Sequence, residues 1–275
     1  MKIGLLQLNV SDDPVANLPV TLALIDDAVA DGAEFILTPE VTNCVSTSRS
    51  HQMNVLSHQD EDPTLAALRA AAAKHGIWLL IGSLGLKTDD PDGRFANRCF
   101  LINPQGDIAA WYDKIHMFDV QISESESYRE SAGYRPGDRA VVADAGFAKI
   151  GMSICYDMRF PKLYRDLAQA GAQIITVPAA FSPVTGAAHW ESLLRARAIE
   201  TGCFIIAPAQ TGKHQASEGK SRSTHGHSII ISPWGEVILD AGTDQGMVCA
   251  EIDLGDVARA RQRVPSLTHD RPYTL

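Results

Sequence analysis

The amino-acid sequence repeats itself, and that repeat constrains the fold more than any other feature. Lys2-Ile3-Gly4 opens one apolar run and Lys149-Ile150-Gly151 opens another. Gly32-Ala33-Glu34-Phe35-Ile36-Leu37-Thr38-Pro39 is answered by Gly171-Ala172-Gln173-Ile174-Ile175-Thr176-Val177-Pro178, and Asn103-Pro104-Gln105-Gly106-Asp107 by Ser232-Pro233-Trp234-Gly235-Glu236. Pairs recurring in the same order read as one duplicated unit. The last pair lies between β-branched, apolar runs, where proline presets one position of a hairpin turn and glycine permits another. Asp13 before Pro14 and Asp62 before Pro63 place a capping side chain ahead of a proline suited to the first helical position. Gly32, Gly76, Gly171 and Gly202 are placed to end the helices. In the helix from Leu65 to His75, the alanines Ala70 to Ala73 permit close approach to a neighbour. Each half therefore reads strand, helix, strand, helix, strand, hairpin.

The runs Trp78 to Ile81, Ile174 to Val177 and Phe204 to Ala207 lack polar alternation, so both faces of those strands should be covered. That predicts an α/β fold in which two sheets pack face to face with helices outside. No composition shift or Gly/Ser-rich linker separates the halves, so residues 1–275 read as a single domain, its last roughly 15 residues a C-terminal tail. The polar segment from Asp119 to Arg139 is the one long interruption, of a length that is usually functional or disordered.

A formal charge of -9 favours neither a nucleic-acid backbone nor an anionic membrane surface. The N-terminus, Met1-Lys2-Ile3-Gly4-Leu5-Leu6-Gln7, does not read as a signal peptide, and no apolar run approaches the roughly 20 residues that span a bilayer. Cys44, Cys99, Cys155, Cys203 and Cys249 are scattered, with no Cys-x-x-Cys pair. They read as free thiols of a cytoplasmic enzyme acting on a small molecule, without metal or cofactor.

Cys155 ends the run Ala148 to Ile154, and a helix start follows at Pro161. At such a strand-to-helix turn, backbone N–H groups can face an oxyanion, and a helix dipole would lower the thiol pKa. The other four cysteines read as buried core residues. Glu40 follows Leu37-Thr38-Pro39 at the C-terminal end of a strand, where α/β sheets place ligands; it could act as a general base or be a surface carboxylate. Lys114, in Trp111-Tyr112-Asp113-Lys114-Ile115-His116, closes another strand amid aromatic and apolar neighbours, surroundings that lysines seldom occupy without a task.

Pro39-Glu40, Tyr112-Asp113-Lys114-Ile115-His116 and Ile154-Cys155-Tyr156-Asp157-Met158-Arg159-Phe160-Pro161 resemble, in order and spacing, the three signature segments of the nitrilase (carbon-nitrogen hydrolase) superfamily. The resemblance extends from the first strand to Trp234-Gly235-Glu236-Val237. It implies a four-layer α-β-β-α sandwich of two mixed sheets, assembled as a homodimer. It also implies roles: Glu40 takes the thiol proton, Cys155 attacks an amide carbonyl, and Lys114 with the Tyr156 N–H stabilises the oxyanion. Glu130, in Tyr128-Arg129-Glu130-Ser131, matches a second carboxylate placed near the lysine.

Arg159 is shaped to pair with a substrate carboxylate, or it forms a structural ion pair. Phe181 and Thr185 match positions lining an acyl pocket in related amidases, although Thr185 could instead cap the helix running from His189 to Glu200. The segments 157–161, 185–191 and 194–201 resemble the branch that holds deaminated-glutathione amidases and ω-amidases. Ala209-Gln210-Thr211-Gly212-Lys213-His214 and Ser223-Thr224-His225-Gly226-His227-Ser228 are more similar to the former. The two activities share an acyl half and differ in the room left for a peptide leaving group, which the loop from Lys213 to Thr224 is expected to shape. A metal hydrolase using His225 and His227 on one strand face is a rival, though no third ligand stands at recognisable spacing.

Overall fold

The computed structural model describes residues 1–122, 124 and 127–274. The first half runs β1 (Lys2–Gln7), α1 (Pro14–Ala30), β2 (Phe35–Leu37), α2 (Arg49–Val55), α3 (Pro63–His75), β3 (Trp78–Leu86), β4 (Ala96–Ile102) and β5 (Ile108–Asp113). A small hairpin of β6 (Asp119–Gln121) and β7 (Ser127–Arg129) follows. The second half runs β8 (Val141–Asp144), β9 (Lys149–Met152), α4 (Pro161–Gln169), β10 (Ile174–Thr176), α5 (Pro183–Thr201) and β11 (Phe204–Ala207). It continues through the hairpin β12 (Thr211–Lys213)/β13 (Ser223–His225) to β14 (Ile229–Ile231) and β15 (Val237–Asp240). Finally β16 (Gly246–Glu251) precedes α6 (Gly255–Arg263).

The duplication is visible in the strand orders, β16-β1-β2-β3-β4-β5 and β15-β14-β11-β10-β9-β8. Each sheet holds three parallel strands flanked by antiparallel ones. The turns 103–107 and 232–236 close alike: in each, the first residue's N–H donates to the fifth residue's carbonyl, at 2.9 and 2.8 Å, with Gly106 and Gly235 at φ 83° and 86°. The strand-helix pattern read from the sequence omitted β8 and β16. These pair antiparallel with β9 and β1, so the chain's end returns to complete the first sheet.

Alternate side chains separate the layers. Ile3, Leu5, Phe35, Leu37, Leu80 and Leu101 point to Ile150, Met152 and Ile174 of the second sheet, in one apolar core. Leu6, Ile36, Leu79, Ile81 and Phe100 point the other way, to Ile25 of α1 and Leu65 and Leu68 of α3. Leu167 of α4 and Trp190 and Leu194 of α5 cover the far side of the second sheet. The result is an α-β-β-α sandwich. Asp13 and Asp62 cap α1 and α3 as expected, while Gly76 and Gly202 end their helices in the left-handed conformation. The alanine stretch of α3 lets a turn lie against it: Gly106 packs on Arg69 and Ala73, and Arg69 Nε donates to the Gly106 carbonyl.

The segment from Asp119 to Arg139 is less irregular than its composition suggested. It contains the β6/β7 hairpin and a 3-10 turn at Glu130–Ala132, while Ser123, Ser125 and Glu126 lie outside the described residues. The tail packs on α4 through Arg165 and Gln169, both bonded to Asp270; Leu275 lies outside the described residues.

One irregularity positions Glu40. The β3/β4 register shifts between Ile81 and Leu84, and the freed Gly82 and Ser83 bind the turn after β2. Gly82 N–H donates to Thr38 Oγ1 at 3.0 Å, and Ser83 Oγ accepts from Val41 N–H at 2.8 Å. A Cβ on Gly82 would collide with the Thr38 and Pro39 carbonyl oxygens and with Pro178. Gly82→Ala is therefore expected to cost more than the roughly 1–3 kcal/mol of ordinary overpacking. Gly246→Ala, which meets nothing nearby, should stay within about 0.5 kcal/mol of wild type. Urea denaturation of both variants checks the contrast; equal losses would contradict it.

Candidate active site

Glu40, Lys114 and Cys155 stand at three strand ends. Lys114 is the residue immediately after β5, Glu40 opens the turn after β2, and Cys155 opens a 3-10 helix, Cys155–Arg159, beyond β9. The sandwich brings these ends together. Lys114 Nζ donates to Glu40 Oε1 at 2.9 Å and to both oxygens of Glu130 at 2.9 Å, and its side chain is 2% exposed. The Cys155 thiol lies close enough to the Glu40 carboxylate, Lys114 and the Ala180 N–H for each to act on its charge. Glu40 Oε2 in turn accepts from Ala180 N–H at 2.8 Å, so the segment following β10 fixes the carboxylate. Glu130 is held from a third side by the Phe118 N–H, at 2.6 Å.

Asn97 went unrecognised in the sequence. Its Nδ2 donates to Glu40 Oε1 at 2.9 Å and Glu130 Oε1 at 3.3 Å, bridging the two carboxylates that share the lysine. The hairpin register offered a signal. Arg98 pairs with Asp113, which sets Asn97 opposite Lys114, and the Lys114 N–H donates to the Asn97 carbonyl at 3.0 Å.

Asp157 is a second residue to which the sequence reading gave no role. Fully buried, it accepts from Tyr112 OH at 2.7 Å, His116 N–H at 3.0 Å and Ile154 N–H at 2.9 Å, and its Oδ1 is 2.7 Å from His116 Nδ1. One carboxylate thereby ties the strand end bearing Lys114 to the turn bearing Cys155. That turn is strained, with Cys155 at φ 47°, a conformation that non-glycine residues seldom adopt.

The charges follow from these contacts. Burial opposes the Lys114 charge, but Glu130 and Glu40 outweigh it and hold the ammonium well above its ordinary pKa. Burial would raise Glu40, yet Lys114 more than compensates, with Arg222 assisting, so Glu40 stays ionised below the ordinary carboxylate value. Cys155 moves the other way: burial and the Glu40 charge push it well above the ordinary thiol value, with Lys114 only partly opposing. This corrects the expectation that a helix dipole depresses the thiol. The nearest helix is a five-residue 3-10 turn, with α4 beginning only at Pro161. The resting site is thus ammonium, carboxylate and neutral thiol, with a candidate base beside the thiol.

A cavity of about 540 Å³ opens onto Cys155, Lys114, Glu40 and Glu130, and is lined also by Tyr156, Phe181 and Thr185. Thr185 is not the cap of α5, because Ser182 holds the N-cap position and Thr185 lies within the first turn. Its buried Oγ1 has no hydrogen-bond partner among the described residues. Arg159 does not line the cavity. Its guanidinium lies over the rings of Phe181 and Tyr156, 5.4 and 5.9 Å from their centroids, with Nη2 3.3 Å from His189 Nδ1. Among the described residues it forms no ion pair. Arg222 does line the cavity and was not anticipated individually.

His225 and His227 do not share a strand face. β13 ends at His225, Gly226 turns the chain, and His227 has φ 57°. The two rings stack at 4.6 Å and His227 faces Asp240, and among the described residues no group of three or more His, Cys, Asp or Glu could hold a metal ion.

Comparison with known proteins agrees with this geometry. Residues 2–262 match the family model for carbon-nitrogen hydrolases. The deaminated glutathione amidase of Yersinia enterocolitica is 39% identical over 241 residues, covering 87% of this chain and 82% of that protein. Its Synechocystis counterpart is 39% identical over 268 residues, covering 96% of each. The crystal structure of the C. elegans NitFhit protein matches 98% of this chain with a TM-score of 0.89 at 34% identity; the chain spans 65% of that protein.

Removing the lysine should cost more than neutralising one of its partners. Lys114→Ala leaves two buried carboxylates without a counter-charge and is expected to lose roughly 3–5 kcal/mol, whereas Glu40→Gln keeps the Lys114–Glu130 pair and should lose less. Chemical denaturation at neutral pH gives the order, and the reverse order would contradict this account of the site. Because the folded pKa of Glu40 is depressed, its stabilisation is complete above the ordinary value of 4.5 and fades as pH falls through the lower folded value. Wild type should therefore lose more stability on acidification than Glu40→Gln.

Proposed function

The chain belongs to the carbon-nitrogen hydrolase family, and from that membership we propose that it hydrolyses the 2-oxoglutaramate amide bond of deaminated glutathione, releasing 2-oxoglutarate and cysteinylglycine. The observation that carries this reading is the buried ammonium shared by two carboxylates beside a neutral thiol. The relatives named deaminated glutathione amidase supply the substrate.

Glu40 removes the Cys155 proton as sulfur attacks the amide carbonyl carbon, and the carbonyl electrons move to oxygen. The Lys114 ammonium and the Tyr156 N–H receive that oxyanion, while Glu130 holds Lys114 in place. Collapse breaks the carbon-nitrogen bond; the proton held by Glu40 passes to the departing amine, and a thioester remains on Cys155. Water then gives a proton to Glu40 as its oxygen attacks the thioester carbon; the carbon–sulfur bond breaks, Glu40 returns that proton to the departing sulfur, and the carboxylic acid is released with the thiol and the carboxylate restored. Thr185 serves the carboxylate at the oxo-acid end, with Phe181 packing against the acyl chain and Arg159 adding positive charge from behind the Phe181 and Tyr156 rings.

The whole chain acts as one domain, in the cytoplasm, where its five free cysteines would stay reduced. Exposed Ile199, Trp234, Val237, Ile238 and Val264 support the homodimer that the family resemblance implied.

Steady-state kinetics on purified protein with deaminated glutathione and 2-oxoglutaramate tests the reading. The larger amide should show the higher kcat/KM, and Cys155→Ala should lower its turnover by about 10⁴-fold or more. Preference for the smaller amide by several orders of magnitude would make the protein an ω-amidase instead.

A further inference from the structure

Four buried side-chain polar atoms lack a hydrogen-bond partner among the described residues, and three of them belong to residues lining the active-site cavity: Asn97 Oδ1, Thr185 Oγ1 and Arg222 Nε. An unsatisfied buried donor is costly, and a ligand that completes it recovers that cost on binding. Arg222 is held in place for such a role. One of its terminal nitrogens donates to the Ala180 carbonyl, and its guanidinium lies 5.6 Å from the centroid of the Tyr128 ring. Among the described residues no carboxylate lies within ion-pair distance of it.

The surrounding charge points the same way. Although the chain carries -9 overall, the described residues lining the cavity include five cationic side chains against two carboxylates. Both carboxylates are already committed to Lys114. The excess positive charge suits a ligand with more than one anionic group, and Arg159 stands behind the Phe181 and Tyr156 wall. Arg222 belongs to a different element, the loop between β12 and β13, with exposed Lys220 two residues before it. That loop is pinned from outside the catalytic centre. The Asp12 carboxylate accepts from Ser217 N–H and Oγ at 2.7 and 2.8 Å, and Thr47 Oγ1 accepts from Lys220 N–H at 3.0 Å and donates to its carbonyl at 2.9 Å.

We propose that Arg222 is the specificity residue for the leaving group, its guanidinium receiving the terminal carboxylate of the departing peptide while the oxo-acid carboxylate is bound elsewhere. This rests on the reaction proposed above and adds its second anchor. A guanidinium whose buried Nε has no partner among the described residues is suited to a charge-assisted hydrogen bond with a carboxylate.

The test is a double cycle in which one partner is altered in the substrate and the other in the protein. With wild-type enzyme, replacing the leaving group's terminal carboxylate by its amide should lower kcat/KM by roughly 10- to 100-fold. Arg222→Gln should lower kcat/KM for the acid substrate by a comparable factor, and amidation should then cost that variant little more. The ratio of activities toward deaminated glutathione and 2-oxoglutaramate should fall accordingly. Equal losses on both substrates, with a shifted acidic limb of the pH profile, would mean that Arg222 acts through Glu40 and would overturn the subsite alone. Wild-type indifference to amidation would do the same without depending on any variant. Absence of wild-type turnover of deaminated glutathione would overturn the reaction and the subsite together.

Discussion

An ammonium removed from water between two carboxylates is the constraint on which the rest of this structure depends. Lys114 is 2% exposed, and such a charge persists only with partners close enough to offset desolvation. Glu40 and Glu130 supply them, and Asn97 holds the carboxylates together. Burial and the Glu40 charge disfavour a thiolate and Lys114 only partly opposes them, so the cysteine rests as a neutral thiol. In the proposed reaction the cluster separates roles: one carboxylate would handle the proton, the other would orient the lysine, and the lysine would receive the negative charge that forms on oxygen.

The duplicated architecture explains why these groups meet. In both halves the parallel strands end in a proline-containing turn, Pro39 after β2 and Pro178 after β10, and the two turns face each other. Cys155 N–H donates to the Pro178 carbonyl at 2.9 Å, while Ala180 N–H donates to Glu40 at 2.8 Å. The second half therefore fixes both residues, its own Cys155 through Pro178 and the first half's Glu40 through Ala180. The halves have diverged at the same point: glutamate follows one proline and alanine follows the other. Symmetry supplies the scaffold, and its local loss supplies the chemistry.

Much of the fold was legible because it is written in short-range signals. Proline after aspartate marked two helix starts, glycines marked their ends, and the unbroken apolar strands required cover on both faces. The strands β8 and β16 were not legible, since their burial is partial and does not alternate, and β16 joins a partner almost the whole chain away. Glu40, Lys114, Glu130 and Cys155 could be singled out individually, through local motifs and resemblance. Asn97 and Arg222 could not, because each matters through what it touches: a polar residue beginning a strand and an arginine in a loop have no distinctive neighbours in sequence. The direction of the thiol pKa was misjudged for a related reason. A nearby helix start is visible in sequence, whereas burial against a carboxylate is a property of the assembled sandwich.

The most direct measurement of the central claim is the pH dependence of Cys155 alkylation by a small neutral reagent, followed on the peptide bearing that residue. The account predicts an inflection above the ordinary thiol value of 9.0, moving downward when Glu40 is replaced by glutamine, since the carboxylate charge is then gone while Lys114 keeps its own. An inflection near neutrality in the wild-type protein, unaffected by that replacement, would show a thiolate already formed at rest and would contradict the role assigned to Glu40.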